Sequence, residues 1–171
     1  MKKLLVLAGF VVFTACGGGA NEETTTNESA PEVEETTEVA DDNAGDDEVI
    51  VINLTTTGET MTDMAFEPKQ IKVPAGSTVR VVLDNVAEAH AMVHNFVLID
   101  RGSSEEIYPL AIEAGPDKNY IPEHSGIYAA TPMANPGEKV EIEFTAPSAG
   151  IYQYICTYPG HASMKGIFVS E

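Results

Sequence analysis

The residues with the clearest chemistry lie in the run CTYPGHASM at 156–164. Cys156, His161 and Met164 fall within nine residues there, and Pro159 and Gly160 supply a turn between them. A second histidine, His94, lies about 60 residues earlier at the head of an apolar run. Two imidazoles, one thiolate and one thioether form a donor set suited to copper. Thiolate and thioether favour Cu(I), and imidazole also accepts Cu(II). A trigonal plane of two His and one Cys under a long axial Met lies between the two preferences. Such a site changes little when an electron arrives or leaves, which suits it to single-electron transfer. Zinc would accept the same donors but prefers a stronger fourth ligand than a thioether. A buried Cys or Met beside a strand is commonly an ordinary apolar residue. Here, though, the three sit in a loop and not at core spacing.

These residues need a rigid support, and the surrounding sequence reads as strands. Gly and Pro punctuate the chain, and β-branched runs lie between them at 49–56, 70–73, 77–85, 94–99, 139–146, 150–157 and 165–171. Val79, Val81 and Leu83 alternate around Arg80, and Val140, Ile142 and Phe144 alternate with Glu141 and Glu143. Period-two patterns mark half-buried strands. About seven short strands with turn-rich links predict an all-β Greek-key sandwich. Residues 104–137 break the pattern. Their first part predicts a short helix capped by Ser103 or Ser104, with Glu105 and Glu106 in the first turn and Pro109 and Gly115 limiting its length. The insertion is expected to lie over one edge of the sandwich as a partly helical flap.

The segment around these ligands resembles the azurin branch of the blue-copper (cupredoxin) proteins, including its auracyanin-like members. The runs that carry the resemblance are MVHNFVLI at 92–99, AGPDKNYIP at 114–122 and YQYICTYPGHASMKG at 152–166. The resemblance implies a Greek-key β-sandwich with a flap between its fourth and fifth strands. It implies one copper held by His94, Cys156, His161 and Met164, cycling between Cu(I) and Cu(II), in an electron carrier and not an enzyme. It also implies that Asn95 ties the first ligand loop to the Cys156 loop, at Thr157. Three features depart from the azurin pattern. Only Ala162 and Ser163 separate His161 from Met164, where azurins have three residues. Val93 stands where azurins place Gly before the first ligand His. The azurin disulfide has no counterpart, because Cys156 is the lone Cys of the folded part. His90 and His124 are spare histidines that could serve as ligands. His161 is flanked by small residues, so its outer edge is expected to reach the surface within an apolar patch of Met64, Pro159, Ala162 and Met133.

The N-terminal third is of a different kind. Lys2 and Lys3 precede the apolar run LLVLAGFVVFTA, and Cys16 follows it directly. The run is too short for a membrane span, which needs roughly 20 apolar residues. It has the form of a signal sequence. Residues 1–16 therefore read as a lipoprotein signal peptide with lipobox Cys16 anchoring the chain to a lipid membrane; plain secretory cleavage near Ala15 is the alternative. Residues 17–48 hold 12 acidic residues and no basic or aromatic one. Such a segment cannot offset its ordering entropy by burial and reads as a disordered acidic tether.

Residues 49–171 then form one domain with 15 acidic and 7 basic side chains, a net charge of −8 within the whole-chain −18. That balance does not favour nucleic-acid binding, which needs basic surface. A multicopper oxidase or nitrite reductase needs further copper centres and usually a second sandwich. A copper carrier or storage protein usually offers open, exchangeable Met and His sites. The sequence thus predicts a monomeric electron carrier outside the cytoplasm, in the bacterial periplasm or at the cell surface. Its expected partners are c-type cytochromes, a terminal oxidase or another membrane electron-transfer complex.

Overall fold

The computed structural model describes residues 48–171. The leader and nearly all of the acidic segment, residues 1–47, lie outside the described residues.

Among the described residues, nine strands form two sheets. The first sheet holds β1 (Ile50–Thr57), β2 (Ala65–Glu67), β4 (Thr78–Asp84) and β7 (Lys139–Thr145), in the order β2-β1-β4-β7. The second holds β3 (Gln70–Val73), β5 (Val97–Asp100), β6 (Ile127–Ala130), β8 (Gly150–Ile155) and β9 (Lys165–Ser170), in the order β3-β9-β8-β5-β6. β1 pairs with β4, and β3 with β9, in parallel. The remaining ladders are antiparallel. The alternation in β4 works as expected: Val79, Val81 and Leu83 are buried, opposite Phe144, Ile142 and Val140 of β7. With Leu54, Phe66, Phe96, Leu98, Tyr154 and Phe168 they fill the space between the sheets. The result is the Greek-key sandwich expected from the sequence.

Two short strands escape the sequence reading: β2 has three residues, too few to show a period, and β6 lies inside the 104–137 insertion. β5 also begins at Val97 and not at His94. His94 forms only an isolated bridge with Ala134 ahead of the strand. β5 is buried on both faces. Leu98 points between the sheets, while Val97 and Ile99 join Ile155 and Ile107 in a second, outer cluster.

Ile107 comes from helix α1 (Ser104–Ala114), which belongs to the insertion between β5 and β6. The helix therefore covers a face of the five-stranded sheet and not its edge. Ser103 takes the N-cap position without a side-chain cap bond. Pro109 does not limit the helix but lies inside it. Proline removes one backbone donor there, and burial of Ile107 and Ala111 keeps the helix on the sheet. Gly115 ends it as expected, with φ +71°. A 3-10 turn (Pro116–Lys118) follows, then Asn119 and Tyr120, both in the left-handed region at φ 53° and 54°.

Candidate metal centre

Three loops converge at one end of the sandwich. Cys156 is the first residue beyond β8, and His161 and Met164 lie in the turn that leads into β9. His94 comes from the segment between β4 and β5. Its N–H donates to the Ala134 carbonyl at 3.1 Å, and Ala134 N–H returns a bond to the His94 carbonyl at 2.7 Å. The Cys156–Met164 loop closes on itself. His161 N–H donates to Tyr158 O at 3.0 Å, Met164 N–H to His161 O at 2.9 Å, and Cys156 N–H to Met164 O at 3.1 Å. The two-residue spacing thus forms a tight turn. Tyr108 of α1 also reaches this loop, donating its hydroxyl to the Ala162 carbonyl at 3.1 Å.

The structure brings His94, Cys156 and His161 together at this buried end, and Met164 is buried in the same loop as Cys156 and His161. Nδ1 of His94 and Nδ1 of His161 are 3.2 Å apart, and Sγ of Cys156 is 3.8 Å from each. A point in the plane of these atoms about 2.0 Å from both nitrogens falls about 2.3 Å from the sulfur, which are the bond lengths a transition metal makes to imidazole and thiolate. His94, Cys156 and His161 are the one such group of potential metal donors among the described residues. Met164 is buried in the same core cluster as Cys156. The residues present therefore fit a single copper ion.

Electrostatics agree with that fit. Burial pushes the His94 imidazole down to about 4, helped by the neighbouring His161. Burial also lowers His161, against a hydrogen bond from its ring to the Val93 carbonyl. Burial raises the Cys156 thiol to about 11, opposed by the backbone N–H groups of Asn95 and Tyr158. Both imidazoles therefore offer free lone pairs at neutral pH, and the thiol keeps its proton until a cation displaces it. His94 Nε2 is buried without a hydrogen-bond partner, so this ring is held by packing and by whatever its Nδ1 binds.

The loops are tied together as the resemblance implied. Asn95 Nδ2 donates to Thr157 Oγ1 at 2.8 Å, and Thr157 N–H donates to Asn95 Oδ1 at 2.8 Å. Asn95 Nδ2 also reaches the carbonyl of Asn119, whose side chain accepts from Met133 N–H. The strained pair at 119–120 thus braces the ligand loops, and the Tyr120 ring stacks edge-on against Tyr158 at 5.5 Å. Strain of this kind persists where surrounding contacts over-determine it.

Other expectations need correction. His161 does not reach the surface: it is only 1% exposed. Tyr158 lies against its ring at 4.9 Å. The surface patch differs too. Met64 is buried at 5% exposure, whereas Met61 is 49% exposed and its Cε comes so close to Gly160 that a Cβ there would collide with it. Pro159 and Ala162 are exposed as expected, and Met133 is half-buried. His90 and His124 stand outside the donor cluster. His124 instead pairs with Glu106 at 3.3 Å and accepts the Gly126 N–H. Cys156 is a free, buried thiol.

A Greek-key sandwich with a buried His–Cys–His cluster and a nearby Met at one end defines a mononuclear type 1 copper electron-transfer protein with a single copper site. Comparison with known proteins agrees. Residues 52–170 match the model for copper binding proteins of the plastocyanin/azurin family. The chain belongs to that family. It is an electron carrier and not an enzyme. Auracyanin-A of Chloroflexus aurantiacus is 41% identical over 113 residues, covering 64% of this chain and 67% of the relative. Auracyanin-B of the same organism is 36% identical, covering 60% of this chain and 46% of the relative, so the chain spans less than half of that protein. The solved structure of auracyanin A, described as a "blue" copper protein, superposes with a TM-score of 0.65 at 38% identity, covering 72% of this chain and all of that one.

Proposed function

We propose that His94, Cys156, His161 and Met164 would hold one copper ion, through Nδ1 of each histidine, Sγ of Cys156 and the thioether of Met164. The observation that carries this reading is the buried triangle of Nδ1, Nδ1 and Sγ, with sides of 3.2, 3.8 and 3.8 Å. Copper bound there supplies the one-electron step by cycling between Cu(I) and Cu(II).

The chain's own residues hold the donors still and exclude water. Asn95 and Thr157 lock the two ligand loops, and the core packs behind Cys156 and Met164. Backbone N–H groups of Asn95 and Tyr158 support negative charge on the sulfur. With His161 covered by Tyr158, electrons pass through a thin layer whose outer side includes exposed Met61, Pro159 and Ala162. Such a small apolar face suits brief encounters, because redox complexes bury little area and separate quickly. Redox partners outside the cytoplasm fit this face. The partner class we favour is a c-type cytochrome, a terminal oxidase or another membrane electron-transfer complex.

The proposed division of the chain is a signal peptide at 1–16, an acidic tether at 17–48 and the copper domain at 49–171. A lipid on Cys16 would hold the monomer at a membrane, in the periplasm or on the cell surface. The apolar run ending at a lone Cys and the acidic stretch after it support this reading. Intact mass of the native protein tests it, and an unmodified N-terminus at or after residue 16 would refute the anchor. The copper assignment is tested by Cys156→Ser. The intense thiolate-to-copper absorption should vanish; if the substituted protein keeps it, Cys156 is not the ligand.

A further inference from the structure

A second polar clasp stands behind His94, and its centre is Asn85. Asn85 directly follows β4, and its backbone is fixed from the sheet side. Its N–H donates to Glu138 O at 3.0 Å, and its carbonyl accepts Gly137 N–H at 2.7 Å. Its side chain is completely buried. Oδ1 accepts from the buried Thr56 hydroxyl at 2.9 Å and from Ala87 N–H at 3.3 Å. Nδ2 donates to Met92 O at 2.7 Å and to Ala134 O at 2.9 Å. A carboxamide has two donor hydrogens and two acceptor lone pairs, and all four are used here. The two carbonyls facing Nδ2 fix which way the amide points.

Both of those carbonyls belong to segments that place His94. Met92 lies two residues before it. Ala134 is the residue that exchanges both backbone bonds with His94. One amide group therefore ties the incoming and the flanking segments of the ligand loop to the end of β4. Val93 alone lies between Met92 and His94, so a shift at Met92 would carry His94 with it.

We propose that Asn85 is a positioning residue of the copper site. Its carboxamide sets where His94 Nδ1 stands relative to His161 Nδ1 and where the Val93 carbonyl points. The proposal rests on the reading that His94 and His161 are copper ligands. Asn95 and Thr157 join the ligand loops to each other; Asn85 joins the His94 loop to the sheet. Without that tie, the His94 loop would depend on its own turn contacts and on the Ala134 bridge. The unpartnered His94 Nε2 supplies no further anchor on the ring.

The test uses the full chain, as parent, Asn85→Asp and Thr56→Val. The aspartate has nearly the same shape, but when ionised it donates nothing and faces two carbonyl oxygens. Thr56→Val leaves the amide in place and removes only the hydroxyl that holds its oxygen, so it is the milder change and guards against misfolding of the first variant. The readouts are copper affinity by chelator competition, the intensity ratio of the two main visible bands, the copper hyperfine coupling in electron spin resonance, and the Nδ1–Nδ1 separation in crystals of the metal-free proteins. Loss of an outer-shell partner of this kind typically lowers metal affinity about 10- to 100-fold. We expect a loss in that range for Asn85→Asp, a smaller loss for Thr56→Val, altered band ratios and coupling in both, and a wider spread of Nδ1–Nδ1 distances than the parent's 3.2 Å. Parental affinity and spectra in both variants, with only a lower melting temperature, would overturn the proposal and leave Asn85 a purely structural amide. A parent that binds no copper, or that keeps its colour after Cys156→Ser, would overturn the ligand reading instead, and the proposal with it.

Discussion

Loading the metal-free protein with copper should release one proton at neutral pH, and Cys156 should be its source. The perturbation is addition of Cu(II) to the metal-free chain at fixed pH. The His94 imidazole titrates at about 4, and burial also holds His161 below its usual value. Neither ring therefore carries a proton to displace above about pH 6.5, the ordinary histidine value. The Cys156 thiol titrates at about 11. Each unit corresponds to about 1.36 kcal/mol, so ionising this thiol at pH 7 costs roughly 5 kcal/mol, against nearly 3 kcal/mol for a thiol at the usual 9.0. Copper binding must supply that difference, because the metal takes the thiolate. Between about pH 6.5 and 11 the apparent affinity should rise about tenfold per pH unit, and above 11 it should level off. Calorimetric titration at pH 7 in buffers of differing ionisation enthalpy counts the protons directly, and chelator competition from pH 6.5 to 9 gives the slope. Release close to zero would mean that the thiolate already exists in the metal-free site, and the argument from burial would fail. Release of two protons would mean that an imidazole is charged at neutral pH, and the lone pairs would not be preformed.

Three further outcomes are expected. Phe96 is completely buried between the sheets, with its ring 5.6 Å from Tyr154; Phe96→Ala should lower unfolding free energy by about 3–5 kcal/mol, measured by denaturant titration of the metal-free protein. Met164→Gln should lower the reduction potential while keeping the Cys156-based colour, because a hard oxygen donor favours Cu(I) less than a thioether does; a redox titration showing no change would remove Met164 from the ligand set. A chain beginning at residue 49 should fold and give the same copper spectrum as the longer soluble form, and a lost or altered site in it would show that the acidic segment contributes to the copper domain.

The proposed donor set was legible because three of its four members are close in sequence. Cys156, His161 and Met164 lie in a single loop, so their chemistry could be read before any fold was known. His94 needed the sandwich to bring it near. The alternation of β4 and β7 was equally plain, since each has one face toward the core and one toward water. What escaped has a physical reason in each case. β2 spans three residues, and no period can appear in three. β5 is buried on both faces, so its apolar run gave no clue that the strand begins three residues after His94. Pro109 read as a limit to the helix, because proline removes a donor, yet Ile107 and Ala111 hold the helix on the sheet across it. Met64 and Met61 are three residues apart in a turn region, where sequence offers no rule for which one is buried. Asn85 follows a strand, and an asparagine there reads as a turn residue; only the fold shows that it is completely buried and fully bonded.

The same burial that defines the site also makes it a burden on the metal-free fold. Two imidazoles are held away from protonation, a thiol is pushed above its usual range, and His94 Nε2 has no partner. Unpaired buried polar groups typically cost about 1–3 kcal/mol each. A fold that kept them without compensation would be poorly optimised, yet Cys156 and Met164 belong to the same core cluster as Leu54, Phe96 and Tyr154. The compensation enters through linkage: a ligand that binds the folded chain and not the unfolded one adds about RT ln(1 + [L]/Kd) to its stability. Copper held in this site would stabilise the fold as well as supply its redox chemistry. The tethers that hold the ligand loops are polar and specific. Asn95 on Thr157, Asn85 on Met92 and Ala134, and Tyr108 on Ala162 each hold a ligand loop by a directional bond. Apolar packing alone would let the loops relax around an empty site. Directional bonds hold the His94, Cys156 and His161 donors at spacings that would accept a transition metal.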